Sequence, residues 1–410
     1  MTEPADQATN QDPEPASEPT LKDTALTGEH EELGASFTDF GGWRMPLKYS
    51  SELEEHHAVR TAAGLFDLSH MGEVRVVGPD AATFLNTALV GNLAALRVGK
   101  ARYSLICRED GGILDDLIAY RITEEEYLVV PNAGNREMVV AALEERVRDF
   151  NAAHGSGTEV WDESEGISLI AVQGPRSQEI VSSVVRLDET FIVEELEYYA
   201  STTVTIGGQE VLLARTGYTG EDGFELFLPH DKVGALWRAL REAGSDAGLT
   251  PCGLACRDSL RLEAGMPLYG NELSTERTSF EAGLPVVSFS KEEDFVGRAA
   301  LEAAKAEGRG RTSGQRLVGL KGLGRRAGRS GYSVVLPEEA PDAGAAADAE
   351  GPGRVVGVVT SGQPSPTLGY PIAMAYVDVE HVEPGTRLDI DLRGKPQPVE
   401  VVELPFYSRR

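Results

Sequence analysis

Residues 101–107, 114–121 and 127–130 read as three short β-type runs, the first two joined by the tight turn Glu109-Asp110-Gly111-Gly112. So short a connection leaves no room for a crossover, so these strands pair as antiparallel hairpins. Helical patterns flank them at 81–89 and 135–150, after an earlier helix at 50–63 and a half-buried strand at 73–77. The alternation recurs downstream, with a strand at 168–172, a helix at 175–185, a hairpin around Gly207-Gly208, a strand at 223–228 and a helix at 231–243. Strands that meet in hairpins yet are interrupted by helices specify the α+β class, here as two similar split β-α-β halves. The 45 glycines and 22 prolines agree with many turns and exclude an all-helical architecture.

The 410 residues exceed one ordinary core and predict two or three domains. A third region follows the Arg- and Gly-rich stretch 308–331 and is nearly helix-free, with β patterns at 317–319, 354–359, 372–377 and 387–391. It predicts a small β-barrel or sandwich. Within it, residues 337–353 are an Ala, Asp, Glu and Pro run that cannot bury a face and reads as an extended loop. Residues 1–32 are polar and acidic with few large apolar groups, the composition of a disordered tail. The predicted divisions are therefore a tail at 1–32, a first region at 33–307 and a barrel region at 308–410.

A formal net charge of −28 opposes both a nucleic-acid backbone and an anionic membrane surface as partners. The chain lacks a secretory signal and a run of roughly 18 apolar residues that would span a bilayer, so a cytoplasmic location is expected. Its cysteines, Cys107, Cys252 and Cys256, make no disulfide framework. Cys252 and Cys256 share a helix face, which allows a metal site or two small buried hydrophobes.

Three segments carry candidate chemistry. In Gly111-Gly112-Ile113-Leu114-Asp115-Asp116-Leu117 a turn feeds adjacent carboxylates into an apolar strand. Neighbouring strand residues point to opposite faces, so one of the pair faces any given pocket, and spacing alone does not choose which. Such a carboxylate suits an acid, a base or a cation stabiliser; the alternative is a pair capping turn amides. In Arg215-Thr216-Gly217-Tyr218-Thr219-Gly220-Glu221-Asp222-Gly223-Phe224-Glu225, glycines would let the backbone approach a planar ligand. Tyr218 can stack on such a ligand, and Glu225 can accept from a heteroaromatic ring. The plain alternative is a Gly-rich loop before a strand. In the helical pattern 253–263, Arg257 and Arg261 could clamp a carboxylate, or Arg261 could pair with Asp258. Glu54-Glu55-His56-His57 has metal-site residues, but the same mixture makes a solvated helix face.

Together these segments resemble the glycine cleavage T-protein family from about Leu26 to the C-terminus. The resemblance is also carried by Phe40-Gly41-Gly42-Trp43, His56-His57-Ala58-Val59-Arg60 and Phe66-Asp67-Leu68-Ser69-His70-Met71. It continues through Asp294-Phe295-Val296-Gly297-Arg298, Thr360-Ser361-Gly362 and Ser365-Pro366-Thr367-Leu368-Gly369. It implies a three-domain cloverleaf, two mixed sheet-and-helix domains around a folate channel plus a C-terminal β-barrel. The implied reaction moves a methylene carbon from the aminomethylated lipoyl arm of H protein to tetrahydrofolate. Ammonia is released and methylenetetrahydrofolate formed, with the P and L proteins as functional partners and no metal or nucleotide.

By the same resemblance Asp115 faces the reacting folate nitrogens, where it would orient the nucleophile, take its proton or stabilise a cationic intermediate. Glu225 and Arg257 match folate-binding positions, and Met71, Tyr103, Asn132 and Tyr218 match pocket neighbours. Arg409, in the tail Tyr407-Ser408-Arg409-Arg410, matches a region that also touches folate. A folate protein of iron-sulfur assembly would carry a cysteine motif where this chain reads Glu293-Asp294-Phe295-Val296-Gly297-Arg298. A folate domain of sarcosine or dimethylglycine oxidation usually adjoins a nucleotide-binding half, which this sequence does not show.

Overall fold

The computed structural model describes residues 20–337 and 353–409. Two sheets and a barrel account for most of its strands. The first sheet runs in the order Ala101–Cys107, Ile113–Thr123, Glu126–Pro131, Val74–Val77, Glu159–Asp162. The second runs Ser201–Ile206, Gln209–Ala214, Gly223–Pro229, Ile167–Gln173, Ala63–Asp67, Leu249–Pro251, antiparallel except for its last pair.

Each sheet buries one face under a helix of matching period. Helix Arg136–His154 turns Val139, Leu143, Val147 and Phe150 onto the first sheet and stops at Gly155, whose φ of 66° closes the last turn. Helix His230–Gly244 presents Val233, Leu236, Trp237 and Leu240 to the second sheet. The remaining faces meet each other: Tyr120, Leu128 and Val130 from one sheet pack with Phe66, Leu169 and Phe227 from the other. Burying a side chain of this size stabilises the fold by about 1.5–3 kcal/mol. The layer between the sheets is where a cavity can form.

The closed barrel has the strand order Gln315–Gly322, Pro371–Asp378, Val355–Pro364, Ser333–Val335, Arg387–Asp391, Pro396–Val402. It is tied to the sheets by buried polar groups. Arg261 on helix Leu254–Glu263 donates to Glu272 at 2.9 Å and to Ser361 of the barrel at 2.8 Å. Glu263, on the same helix, accepts from Thr367 at 2.7 Å and from Arg60 at 2.8 Å, with His56 at 3.2 Å. The whole is an α+β fold of two mixed sheet-and-helix units and a barrel.

The expected tail needs correction at its inner end. Residues 1–19 lie outside the described residues, but Thr27–Glu32 is a helix. Leu26 is fully buried, and His30 bonds Asp67 and Tyr49 at 2.9 Å each. One apolar anchor and one buried polar relay suffice to dock a segment whose composition is otherwise that of a tail. Of the expected loop 337–353, residues 338–352 lie outside the described residues.

Several elements carried no sequence signal, among them a hairpin, a strand and a helix. The hairpin Ser36–Phe40 with Trp43–Lys48 is mostly exposed and lacks clean alternation. Strand Ala63–Asp67 is buried at every position, so it has no period to read. Helix Arg298–Ala306 buries only Leu301 and Ala304.

Candidate active site

A cavity of about 270 Å³ opens in the layer between the sheets. Strand Ile113–Thr123 supplies one wall, mainly through alternate residues Asp116, Ile118 and Tyr120, with Leu117 also reaching it. Leu117 and Ala119, on the other pleat, belong to the core under the helices. Asp115 shares that second pleat. The expectation that Asp115 faces the pocket is therefore corrected: Asp116 lines the cavity, and Asp115 is fully buried behind it.

Asp116 accepts hydrogen bonds from the Tyr103 hydroxyl and the Asn132 carboxamide, both at 2.9 Å. Burial pushes its carboxyl up to about 6, against the pull of those two donors. Asp115 accepts from the Asn132 backbone at 2.8 Å, the Asn132 side chain at 2.9 Å and the Asn135 side chain at 2.6 Å.

A second wall is basic. Arg257 lines the cavity with its guanidinium over the Tyr218 ring at 4.9 Å, and makes no ion pair among the described residues. Burial pushes it below its usual value. The acid whose charge acts on it is Glu225, 8% exposed, which accepts from Tyr120 at 3.1 Å and from the Thr216 hydroxyl. A half-buried cation with no ion pair among the described residues and an acid held by neutral donors are charges arranged for something that enters between them.

Met71, Tyr103, Asn132 and Tyr218 also line the cavity. The Tyr218 hydroxyl donates to the Pro267 carbonyl, which fixes the ring beneath Arg257. The glycines of this loop have another use than the one expected. A Cβ at Gly217 or Gly223 would lie 2.0 and 2.3 Å from the Gln173 carboxamide, which holds the loop through Thr216 O at 3.0 Å. Arg409 is not brought to the cavity. It pairs with Asp222 at 3.2 Å beside Tyr198, on the surface, and Arg410 lies outside the described residues.

Sequence reasoning missed further wall residues. His70 lies in a quoted motif and is buried at the cavity with Nδ1 unpartnered; burial, with the charge of Arg257, pushes it down to about 4. Tyr199 lines the cavity at a φ of 57°, a left-handed backbone unusual for a bulky residue. Met266, Pro267 and Leu268 close another side from a segment with no regular structure. That segment also clasps the Asp116 hairpin, since Tyr269 donates to Ile113 O at 3.2 Å and Ile113 N donates to Ser274 O at 3.2 Å.

The remaining candidates are structural. Arg261 takes the ion-pair alternative, with Asp258 and Glu272. His56 is occupied by Ser259 at 2.6 Å and Thr367 at 2.8 Å. Cys252, Cys256 and Glu55 bring ligand atoms within 4.8 Å of one another. Both thiols, however, donate to backbone carbonyls, and Glu55 accepts three backbone amides.

Residues 26–291 match the family model of the GCVT N-terminal domain, and residues 315–408 that of the glycine cleavage T-protein C-terminal barrel domain. The chain is 56% identical over 392 residues to an aminomethyltransferase of Streptomyces coelicolor, covering 95% of this chain and 98% of the relative. It is 43% identical over 391 residues to one of Symbiobacterium thermophilum, at 95% and 98% coverage. The crystal structure of glycine cleavage system aminomethyltransferase T from Bartonella henselae superposes with a TM-score of 0.82 at 36% identity, over 95% of this chain and 99% of that one.

Proposed function

The chain belongs to the glycine cleavage T-protein family and is an aminomethyltransferase of the glycine cleavage system, and from that premise we propose that tetrahydrofolate is the acceptor bound between its sheets, with Asp116 at the reacting nitrogens. The observation that carries this reading is the composition of the cavity wall: Asp116, Glu225 and an unpaired Arg257 converge on one space walled by Met71 and Tyr218. A reduced pterin offers a donor edge for Glu225 and ring faces for Tyr218, while Arg257 suits a carbonyl or an anionic portion.

The donor is the aminomethylated lipoyl arm of H protein. Its methylene carbon leaves sulfur and nitrogen for two folate nitrogens, and the two folate N–H protons end on the thiol and the ammonia. Asp116, anchored by Tyr103 and Asn132, is the group able to take a folate proton in the cavity and return it. With burial holding it near 6, it is ionised at neutral pH yet basic enough to accept.

H protein docks, on this reading, at the barrel loop carrying Arg325, Arg326 and Arg329, which are exposed and make no ion pair among the described residues of an acidic chain. Reversing those charges raises the KM for H protein; an unchanged KM rejects the surface. We assign residues 26–307, which include the docked helix Thr27–Glu32, to the folate-binding region and 308–410 to the barrel, with the P and L proteins as functional partners. A cytoplasmic location is part of this proposal; among the described residues no helix is long and apolar enough to cross a membrane. The deciding experiment is folate-dependent ammonia release from aminomethylated H protein. Wild type is active and Asp116→Asn is not, while both bind tetrahydrofolate. A wild type that binds folate without releasing ammonia would make this a noncatalytic folate protein.

A further inference from the structure

Asp115 has no part in the reaction just described, yet its environment is costly. It is fully buried, and no cation acts on it among the described residues. A carboxylate in that position is destabilising unless its interactions are used. It lies against the start of helix Arg136–His154, where Asn135 donates at 2.6 Å and Asn132 donates from its backbone at 2.8 Å. The Asn132 side-chain nitrogen serves three acceptors: Asp115 Oδ1 at 2.9 Å, Asp116 Oδ1 at 2.9 Å and the Asp116 carbonyl at 3.0 Å. A carboxamide has two N–H groups, so the three acceptors compete, and a charged acceptor draws the donor more strongly.

We infer that Asp115 is a positioning residue for the transfer: through the shared Asn132 carboxamide it sets how the Asp116 carboxylate is held against Tyr103, and it couples that carboxylate to a second one shielded from solvent. The inference rests on Asp116 being the carboxylate at the reacting atoms.

Adjacent carboxylates that share a donor and meet no cation resist double ionisation. Burial pushes both upward, Asp116 to about 6 and Asp115, which also feels the Asp116 charge, to about 7. The other titratable groups facing the pair are Tyr103 on the neighbouring strand, Tyr199 and Tyr218 across the cavity, and Tyr269 and Glu272 on the covering segment. The tyrosines are all raised and stay neutral, and Glu272 is paired with Arg261. The pair therefore titrates in two coupled steps, both above the ordinary carboxylate range.

The test is the pH profile of turnover with equilibrium tetrahydrofolate binding measured alongside. Wild type shows two ionisations, near 6 and near 7. Asp115→Asn shows one, with turnover reduced about tenfold and folate affinity within about twofold of wild type. Should that variant fold poorly, Asn135→Ala removes a single donor from Asp115 and moves the upper ionisation to higher pH. Wild-type turnover with both ionisations intact in Asp115→Asn overturns the inference, as does a loss of folate affinity parallel to the loss of turnover. An unmoved profile in Asn135→Ala overturns it even without the first variant. An active Asp116→Asn would instead overturn the reading of Asp116 on which this one rests.

Discussion

The cavity and the joint that ties the barrel to the sheets use the same side chains in opposite ways. Helix Leu254–Glu263 contributes an arginine to each, one turn apart. Arg261 enters the joint and is saturated by Asp258, Glu272 and Ser361. Arg257 enters the cavity, lies over the face of Tyr218 and makes no ion pair among the described residues. The carboxylates differ in the same sense. Glu263 in the joint is surrounded by His56, Arg60, Ser365 and Thr367, whereas Asp116 in the cavity has neutral donors alone. Saturated charges hold elements together; charges left open in a buried wall are waiting for a ligand.

The largest effect that separates the two regions is on turnover. Asp116→Asn lowers ammonia release by about 10²–10⁴-fold while leaving the urea midpoint near wild type, since general-base catalysis is lost and the wall keeps its shape. A comparable loss of stability would erase the distinction. Next comes Arg261→Met, which strands Glu272 without its cation and destabilises by about 3–5 kcal/mol in urea unfolding. Arg257→Met, the same substitution one turn away, removes a half-buried charge that makes no ion pair among the described residues. It changes stability by less than Arg261→Met does and raises the folate dissociation constant about 10–100-fold, the worth of a charged hydrogen bond. Equal stability losses in these two variants would show that both arginines belong to the joint.

The smallest effect is on acid stability. Burial alone would raise Glu263, but hydrogen bonds from His56, Ser365 and Arg60 hold it down to about 2. Its folded value lies below the ordinary 4.5, so its contribution is complete above that pH and drains away as pH falls toward 2. Glu263→Gln flattens the fall of the urea midpoint between pH 4.5 and 3, and an unchanged slope would show that other carboxylates set it. No such slope is expected from Asp116, whose value is raised, so its charged form weakens the fold as pH rises.

How much of this was legible in advance follows the physics of each element. Hairpins and helices with one buried face carry their period in the sequence, so strand Ala101–Cys107 and strand Arg387–Asp391 lie where expected. Strand Ala63–Asp67, buried on both faces, had no alternation to find, and the helix Thr27–Glu32 hid inside a polar tail because one leucine and one histidine dock it. At the site, Glu225, Arg257, Tyr218, Met71, Tyr103 and Asn132 do meet at one cavity. Arg409 does not, because Asp222 holds it at the surface.

The sequence by itself determined the α+β class, a separate all-β region left open between barrel and sandwich, the acidic character and the pair of carboxylates on an apolar strand, because period, turn chemistry and charge are local properties. Which carboxylate serves the cavity was decided by tertiary structure. A period of two states that Asp115 and Asp116 point apart, but only the packing of helix Arg136–His154 on one pleat and the second sheet on the other says which of them is covered and which is open. The same holds for Arg257 and Arg261: one helix, one residue type, and different fates set by what the rest of the chain folds against them.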